Sequence, residues 1–222
     1  MTFSIKPGIP CLLFLNVLLL SCSDEPVRVS LRFDTVVENG TVIDGTGAAA
    51  YSADVFITDG KLVRIGQLEM LSEQADVAIG RRIDASGRLV APGFIDVHSH
   101  GDPLQTPQFE NFLAQGVTTI TLGQDGASPD TEDLSDWMEQ VSDQGIGVNL
   151  AMFVGHGTLR ELSGIGRNPE PGPDAMQRML ELLDRNLKVA FGLSTGLEYT
   201  PGLYADSSEL LALAETVGRN NR

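Results

Sequence analysis

A chain of 222 residues is long enough for one ordinary domain, or for one domain and a small appendage. Its 42% hydrophobic and 20% charged residues are a globular mixture, which excludes wholesale disorder, collagen and a coiled coil. Asp+Glu number 30 against 15 Lys+Arg, giving a formal net charge of −15 with no basic cluster. No nucleic-acid partner is therefore expected, because phosphate contacts need a Lys/Arg surplus on at least one face. Two cysteines cannot build a disulfide scaffold or a four-cysteine zinc site. The 24 glycines and 11 prolines suit a mixed α/β or β-rich chain better than a helix bundle.

The N-terminus carries Lys6 and then an apolar run from Ile9 to Leu20, broken by Pro10 and Asn16. That length fits a signal-peptide core and falls short of a spanning helix. It ends in Leu19-Leu20-Ser21-Cys22, which resembles a bacterial lipoprotein cleavage box with Cys22 as the lipidated residue. Residues 1–21 are thus expected to be a signal peptide and 22–30 a polar tether. The expected location is outside the cytoplasm of a bacterium, anchored by lipid on the periplasmic side or the cell surface. An ordinary secretory signal, or an uncleaved anchor, is the alternative. Cys11 lies inside the segment expected to be removed, so no disulfide is expected.

From residue 31 to 91 the pattern predicts a small antiparallel β module. Asn39-Gly40, Asp59-Gly60 and Ser86-Gly87 each separate apolar stretches, and such pairs permit the positive φ angles of tight hairpins. After Pro92-Gly93 the period changes. Strands are predicted at 94–97, 117–122, 148–154 and 189–193. Helical stripes alternate with them: Phe109/Phe112/Leu113, Leu134/Trp137/Met138/Val141, Met176/Met179/Leu180/Leu183/Leu187 with Asp174 as cap, and Leu210/Leu213/Ala214/Val217 with Asp206, Ser207 or Ser208 as cap. Four strand–helix units in succession predict a parallel sheet, open or closed into a barrel. A complete (β/α)8 barrel takes about 250 residues. Residues 92–222 hold about half of one, and the chain is read as incomplete.

The chemistry-bearing residues fall at predicted strand ends. His98 and His100 stand two apart on an extended segment, so both rings face one side and can reach one divalent ion. Two surface histidines are the plain alternative. In parallel α/β units the C-terminal strand ends are where chemistry sits. Asp125 follows the second strand as a third ligand, a bridge between two ions, or a turn aspartate before Gly126. His156 follows the third strand as a substrate contact or supporting group, or as a loop histidine bonded to backbone. Glu198 and Tyr199 follow the fourth, Glu198 as a candidate metal bridge and Tyr199 as a hydrogen-bond partner of a substrate carboxylate or carbonyl. A loop pair held by Pro201-Gly202 is the alternative for these two.

Four runs together resemble the amidohydrolase superfamily: Gly40-Thr41-Val42-Ile43-Asp44-Gly45-Thr46-Gly47, Ala91-Pro92-Gly93-Phe94-Ile95-Asp96-Val97-His98-Ser99-His100, Phe153-Val154-Gly155-His156-Gly157-Thr158-Leu159-Arg160, and Gly192-Leu193-Ser194-Thr195-Gly196-Leu197-Glu198-Tyr199. The last two narrow the resemblance to N-acyl-D-amino-acid deacylases, the D-aminoacylases, over about residues 33–217. The resemblance implies an α/β fold: the N-terminal part of a metal-dependent (β/α)8 TIM barrel preceded by a small β-sandwich module. It implies zinc, one or two ions, and hydrolysis of the amide of a small N-acyl-D-amino acid by a metal-activated water. His98 and His100 match the family's first-strand ligand pair, and Tyr199 a substrate-contacting tyrosine. Relatives commonly place a metal-binding cysteine in a Gly-Asn-Cys-Gly run where this chain has Gly123-Gln124-Asp125-Gly126; aspartate is a harder, oxygen ligand. The family's two further histidine ligands and its late proton-shuttling aspartate match nothing in these 222 residues. No catalytic base is therefore identified, and the chain alone is expected to be inactive. Other amidohydrolases of dipeptides or cyclic amides, or a tethered non-catalytic remnant, are the alternatives. The absence of lysine between Lys188 and Arg222 argues against hydantoinase-like members, which carry a bridging lysine near this strand.

Overall fold

The structure is a computed structural model and describes residues 28–222; the signal-peptide segment, Cys22 and most of the expected tether lie outside the described residues. The chain divides into two compact units, one ending at Val90 and one running Ala91–Arg222.

In the first unit β1 (Val29–Val42) is the hub. It pairs antiparallel with β2 (Tyr51–Thr58), which pairs antiparallel with β3 (Lys61–Gly66). Asp59 and Gly60 make the β2–β3 turn at φ 51° and 69°, both positive as a two-residue hairpin requires. A short helix, α1 (Leu68–Gln74), then returns the chain so that β4 (Ala75–Asp84) runs parallel to β1, as does β5 (Leu89–Val90). The sheet is therefore mixed, not purely antiparallel as the turn signals suggest. Asn39-Gly40 makes no hairpin either: it forms an irregularity within β1, where the register with β2 shifts between Val37 and Gly40. Val29 and Ser30 already pair with Ala75 and Asp76, so the strand starts inside the expected tether. Phe33, Val36, Phe56 and Leu71 form one apolar cluster, and Val42, Ala53 and Val55 another. The described residues of this unit make one five-stranded sheet.

The second unit is α/β. Its strands β6 (Phe94–Asp96), β7 (Val117–Leu122), β8 (Asn149–Gly155) and β9 (Gly192–Ser194) lie in the order β6-β7-β8-β9, all parallel. That is the order of four successive units of a (β/α)8 barrel. The connections carry α2 (Glu110–Leu113), α3 (Leu134–Gln144), α4 (His156–Leu162) and α5 (Pro173–Asn186), and α6 (Ser207–Arg219) follows β9. Ile120 and Met152 of the sheet pack with Met179, Leu182, Leu183 and Leu213 of the helices in one core, each of them fully buried. Phe94 and Ile95, on the end strand β6, remain 61% and 66% exposed.

Side-chain caps start two of the helices, α3 and α6. The Asp133 carboxylate accepts the Ser135 N–H at 3.0 Å, and Asp206 accepts that of Glu209 at 2.9 Å. Asp174 is not the cap of α5; Gly172 holds that position and Pro173 opens the helix, with Asp174 in its first turn. Phe109 is no part of its helix: it stands at φ 47° before α2, buried in the core. The fourth strand comes three residues later than predicted. Leu187, Val189 and Ala190 donate to carbonyls at the end of α5, so pairing with β8 resumes only at Phe191, whose N–H reaches the Met152 carbonyl.

Candidate metal centre

β6 ends at Asp96, but its pairing persists one step further: the Ser99 N–H donates to the Thr121 carbonyl at 3.1 Å. The chain bends at Val97 and His98 and returns to the sheet at Ser99, with His98 and His100 on the side of Asp125 and Ser99 buried. Ser99 is 3% exposed, whereas the two imidazoles are open, with ring centroids 5.3 Å apart. The Asp96 carboxylate accepts the His98 N–H at 3.1 Å and holds the turn of chain at the first histidine.

Asp125 arrives from the loop after β7. This loop is stitched to β6 by Gln124, whose side chain donates to the Val97 carbonyl at 2.9 Å and to Thr121 Oγ1 at 3.0 Å. Asp125 itself adopts φ 56°, between two glycines that also have positive φ. A Cβ at Gly123 would lie 2.1 Å from the Phe153 carbonyl oxygen, and one at Gly126 2.8 Å from the Gly196 nitrogen. Both positions thus demand glycine for space as well as for φ.

In this setting Asp125 Oδ2 lies 3.3 Å from His98 Nε2 and 3.2 Å from His100 Nε2. All three donor atoms fall within 4.8 Å of one another. Ligands bound at zinc distances in a tetrahedron stand about 3.4 Å apart. The two observed separations match that edge, and lie at the long end of N–H···O hydrogen bonds. One nitrogen from each of two histidines and one carboxylate oxygen suit a divalent ion such as zinc. The residues present therefore fit the group that the resemblance implies.

Glu198 does not join this group. Residues after β9 turn back, with the Tyr199 N–H on the Gly196 carbonyl at 3.1 Å, and leave Glu198 exposed. The metal group contains His98, His100 and Asp125 without it. Tyr199 is 57% exposed and lines, with Asp125, Thr158 and Pro201, a cavity of about 600 Å³.

His156 is neither a rim residue nor a loop residue. It opens α4, is fully buried, and places Nε2 2.7 Å from Glu209 Oε1. Arg160, one turn on, is also fully buried, and its Nη1 donates to both Glu209 oxygens at 2.7 and 2.6 Å. Its remaining nitrogens donate to the carbonyls of Gly166 and Asn168. Burial of three ionisable side chains is tolerable only with this degree of pairing. Sequence reasoning misses Arg160 and Glu209. The signal is the spacing of His156 and Arg160 on one helical face, hidden because Gly155 and Gly157 disguise α4 as loop.

Parallel strands joined by helices, with three potential metal donors at their C-terminal ends, place the second unit in the α/β class as part of a barrel. Similarity to known proteins is narrower. No family model matches the chain. It is 36% identical over 208 residues to an N-acyl-D-glutamate deacylase of Alcaligenes xylosoxydans xylosoxydans, covering 82% of this chain and 41% of the relative. Among solved structures, an N-acyl-D-glutamate deacylase from Bordetella bronchiseptica, complexed with zinc and a phosphonate mimic of the tetrahedral intermediate, aligns with TM-score 0.76 and 32% identity over 86% of this chain and 44% of that one. A D-aminoacylase with a binuclear metal centre aligns at TM-score 0.77 and 31% identity, over 85% and 44%. These relatives and structural neighbours are D-aminoacylases and kindred deacylases, hydrolases of C–N bonds other than peptide bonds. The chain spans about two-fifths of the length of the curated relatives it matches.

Proposed function

We propose that this chain belongs to a zinc-dependent deacylase of N-acyl-D-amino acids, for which it supplies the first part of the barrel and one face of the metal centre. The observation that carries the reading is the His98–His100–Asp125 group at the C-terminal strand ends, with both histidine–aspartate separations near the edge of a tetrahedral zinc site. The similarity to zinc-bearing deacylases supports it.

His98 and His100 would hold the ion through Nε2, and Asp125 through Oδ2. A bound divalent ion supplies Lewis acidity, polarising a carbonyl and making water acidic at neutral pH. Asp125 balances part of the added positive charge. Tyr199, which lines a cavity together with Asp125, would hydrogen-bond the carboxylate or carbonyl of a bound substrate. The test is release of free D-glutamate from N-acetyl-D-glutamate by the full-length protein, with the L-enantiomer and chelator treatment as controls. Equal turnover of both enantiomers, or turnover undiminished by complete metal removal, overturns the reading. The Leu19-Leu20-Ser21-Cys22 run supports export and lipid anchoring. Palmitate incorporation that survives Cys22→Ser would sink that part.

A further inference from the structure

We propose that Ser194 is the positioning residue of Asp125, holding its loop in the conformation that brings the carboxylate to the two histidines; the proposal rests on the reading of these three residues as metal ligands. Asp125 stands at φ 56°, a left-handed conformation that aspartate tolerates better than most residues but that its loop must still hold. Ser194 supplies that hold. Its hydroxyl donates to the Gly123 carbonyl and accepts the Gly126 N–H at 3.1 Å. One oxygen thus ties together both flanks of the turn that has Asp125 within it, using the hydroxyl as donor and acceptor at once. Ser194 is itself fixed, because it ends β9 paired with Gly155 of β8.

Besides the Gln124 side chain, which ties the loop to Val97 and Thr121, a further clamp acts elsewhere. The Thr158 N–H donates to the Gly126 carbonyl at 3.2 Å, and Thr158 Oγ1 accepts the Ser128 N–H at 2.9 Å and donates to the Ser128 carbonyl at 3.1 Å. These bonds hold the loop beyond Asp125. Ser194 grips it on both sides of the aspartate and acts through backbone alone.

The experiment is a metal-affinity measurement on the full-length protein, with Zn²⁺ in competition with a chromophoric chelator. Ser194→Ala is expected to weaken affinity about 10–100-fold, the usual cost of losing a group that orients a ligand. Ser194→Thr, which keeps the hydroxyl, should restore most of it. Asp125→Asn should weaken affinity at least as much as Ser194→Ala, and adding Ser194→Ala to Asp125→Asn should then change little. Unchanged affinity in Ser194→Ala alongside weakened affinity in Asp125→Asn overturns the positioning role and leaves the ligand reading standing. Unchanged affinity in Asp125→Asn overturns the ligand reading, and the positioning role with it. If Ser194→Ala does not fold, Ser194→Val against Ser194→Thr gives the same contrast at nearly constant shape. If both apolar variants fail to fold while the threonine variant folds, the hydroxyl is structural and the proposal falls.

Discussion

Two clusters in the second unit both set histidine against a carboxylate and do opposite things. At the rim, His98, His100 and Asp125 are 56%, 66% and 38% exposed in their side chains, and converge without a cation among them. Inside, His156, Arg160 and Glu209 are at most 2% exposed, and the carboxylate is taken up by the guanidinium and the imidazole together. The donors of the inner cluster are engaged with Glu209 and with the Gly166 and Asn168 carbonyls, apart from His156 Nδ1, which has no hydrogen-bond partner. The outer cluster has coordination to offer. Charge compensation and burial separate a strut from a metal site where residue type does not.

That contrast can be broken most severely from the inside. Glu209→Ala leaves Arg160 buried without its counter-charge and should cost about 3–5 kcal/mol of stability, measured by denaturant unfolding. A loss within surface values would mean that the cluster is not the strut described. At the rim, His98→Ala should leave the metal-free protein within about 0.5 kcal/mol of the parent, as for an exposed side chain. Zinc should raise the melting temperature of the parent by mass action, and raise that of His98→Ala far less. Zinc stabilisation that survives intact in His98→Ala would remove the metal centre. A smaller effect sharpens the comparison through Asp206, which starts the helix carrying Glu209. The Glu209 N–H and the Ser208 hydroxyl hold the Asp206 carboxyl below the usual carboxylate range. A carboxylate depressed by folding contributes stability that is present above its ordinary pKa and lost as pH falls through its folded value. Asp206→Ala should therefore lower the melting temperature slightly at neutral pH, and the difference from the parent should shrink in acid. A difference that grows in acid would contradict the cap.

How far these features are legible in the sequence follows from how local their causes are. Strand β7 is found at its true limits, since a β-branched run of valine, isoleucine and threonine between Gly116 and Gly123 needs no tertiary information. The histidine pair is equally plain, because a two-residue spacing at a strand end is a local signal. Asp125 remains ambiguous in sequence between ligand and turn residue. The structure shows that it is a turn residue by backbone and a candidate ligand by side chain, two roles that do not compete. Glu198 is misread because strand position predicts the rim but not the turn at Gly196 that carries the residue off. His156 is misread because its partner lies fifty-three positions away, on a helix whose other buried residues are Leu213 and Thr216. Asn186, whose side-chain oxygen accepts the Leu134 N–H at 2.7 Å, escapes notice for the same reason.

The glycines on either side of Asp125 have a consequence for how such a centre changes over generations. Backbone oxygen and nitrogen crowd the places where Gly123 and Gly126 would need a Cβ, so substitutions there are closed off by collision. Between them the side chain of residue 125 is 38% exposed. Inheritance can thus rewrite the donor atom while leaving its peptide frame untouched. Carboxylate, thiolate or imidazole can stand at the same spot, each drawing a different ion. The loop behaves as a socket with one interchangeable part, and a lineage that retunes its metal has a single codon through which to do it.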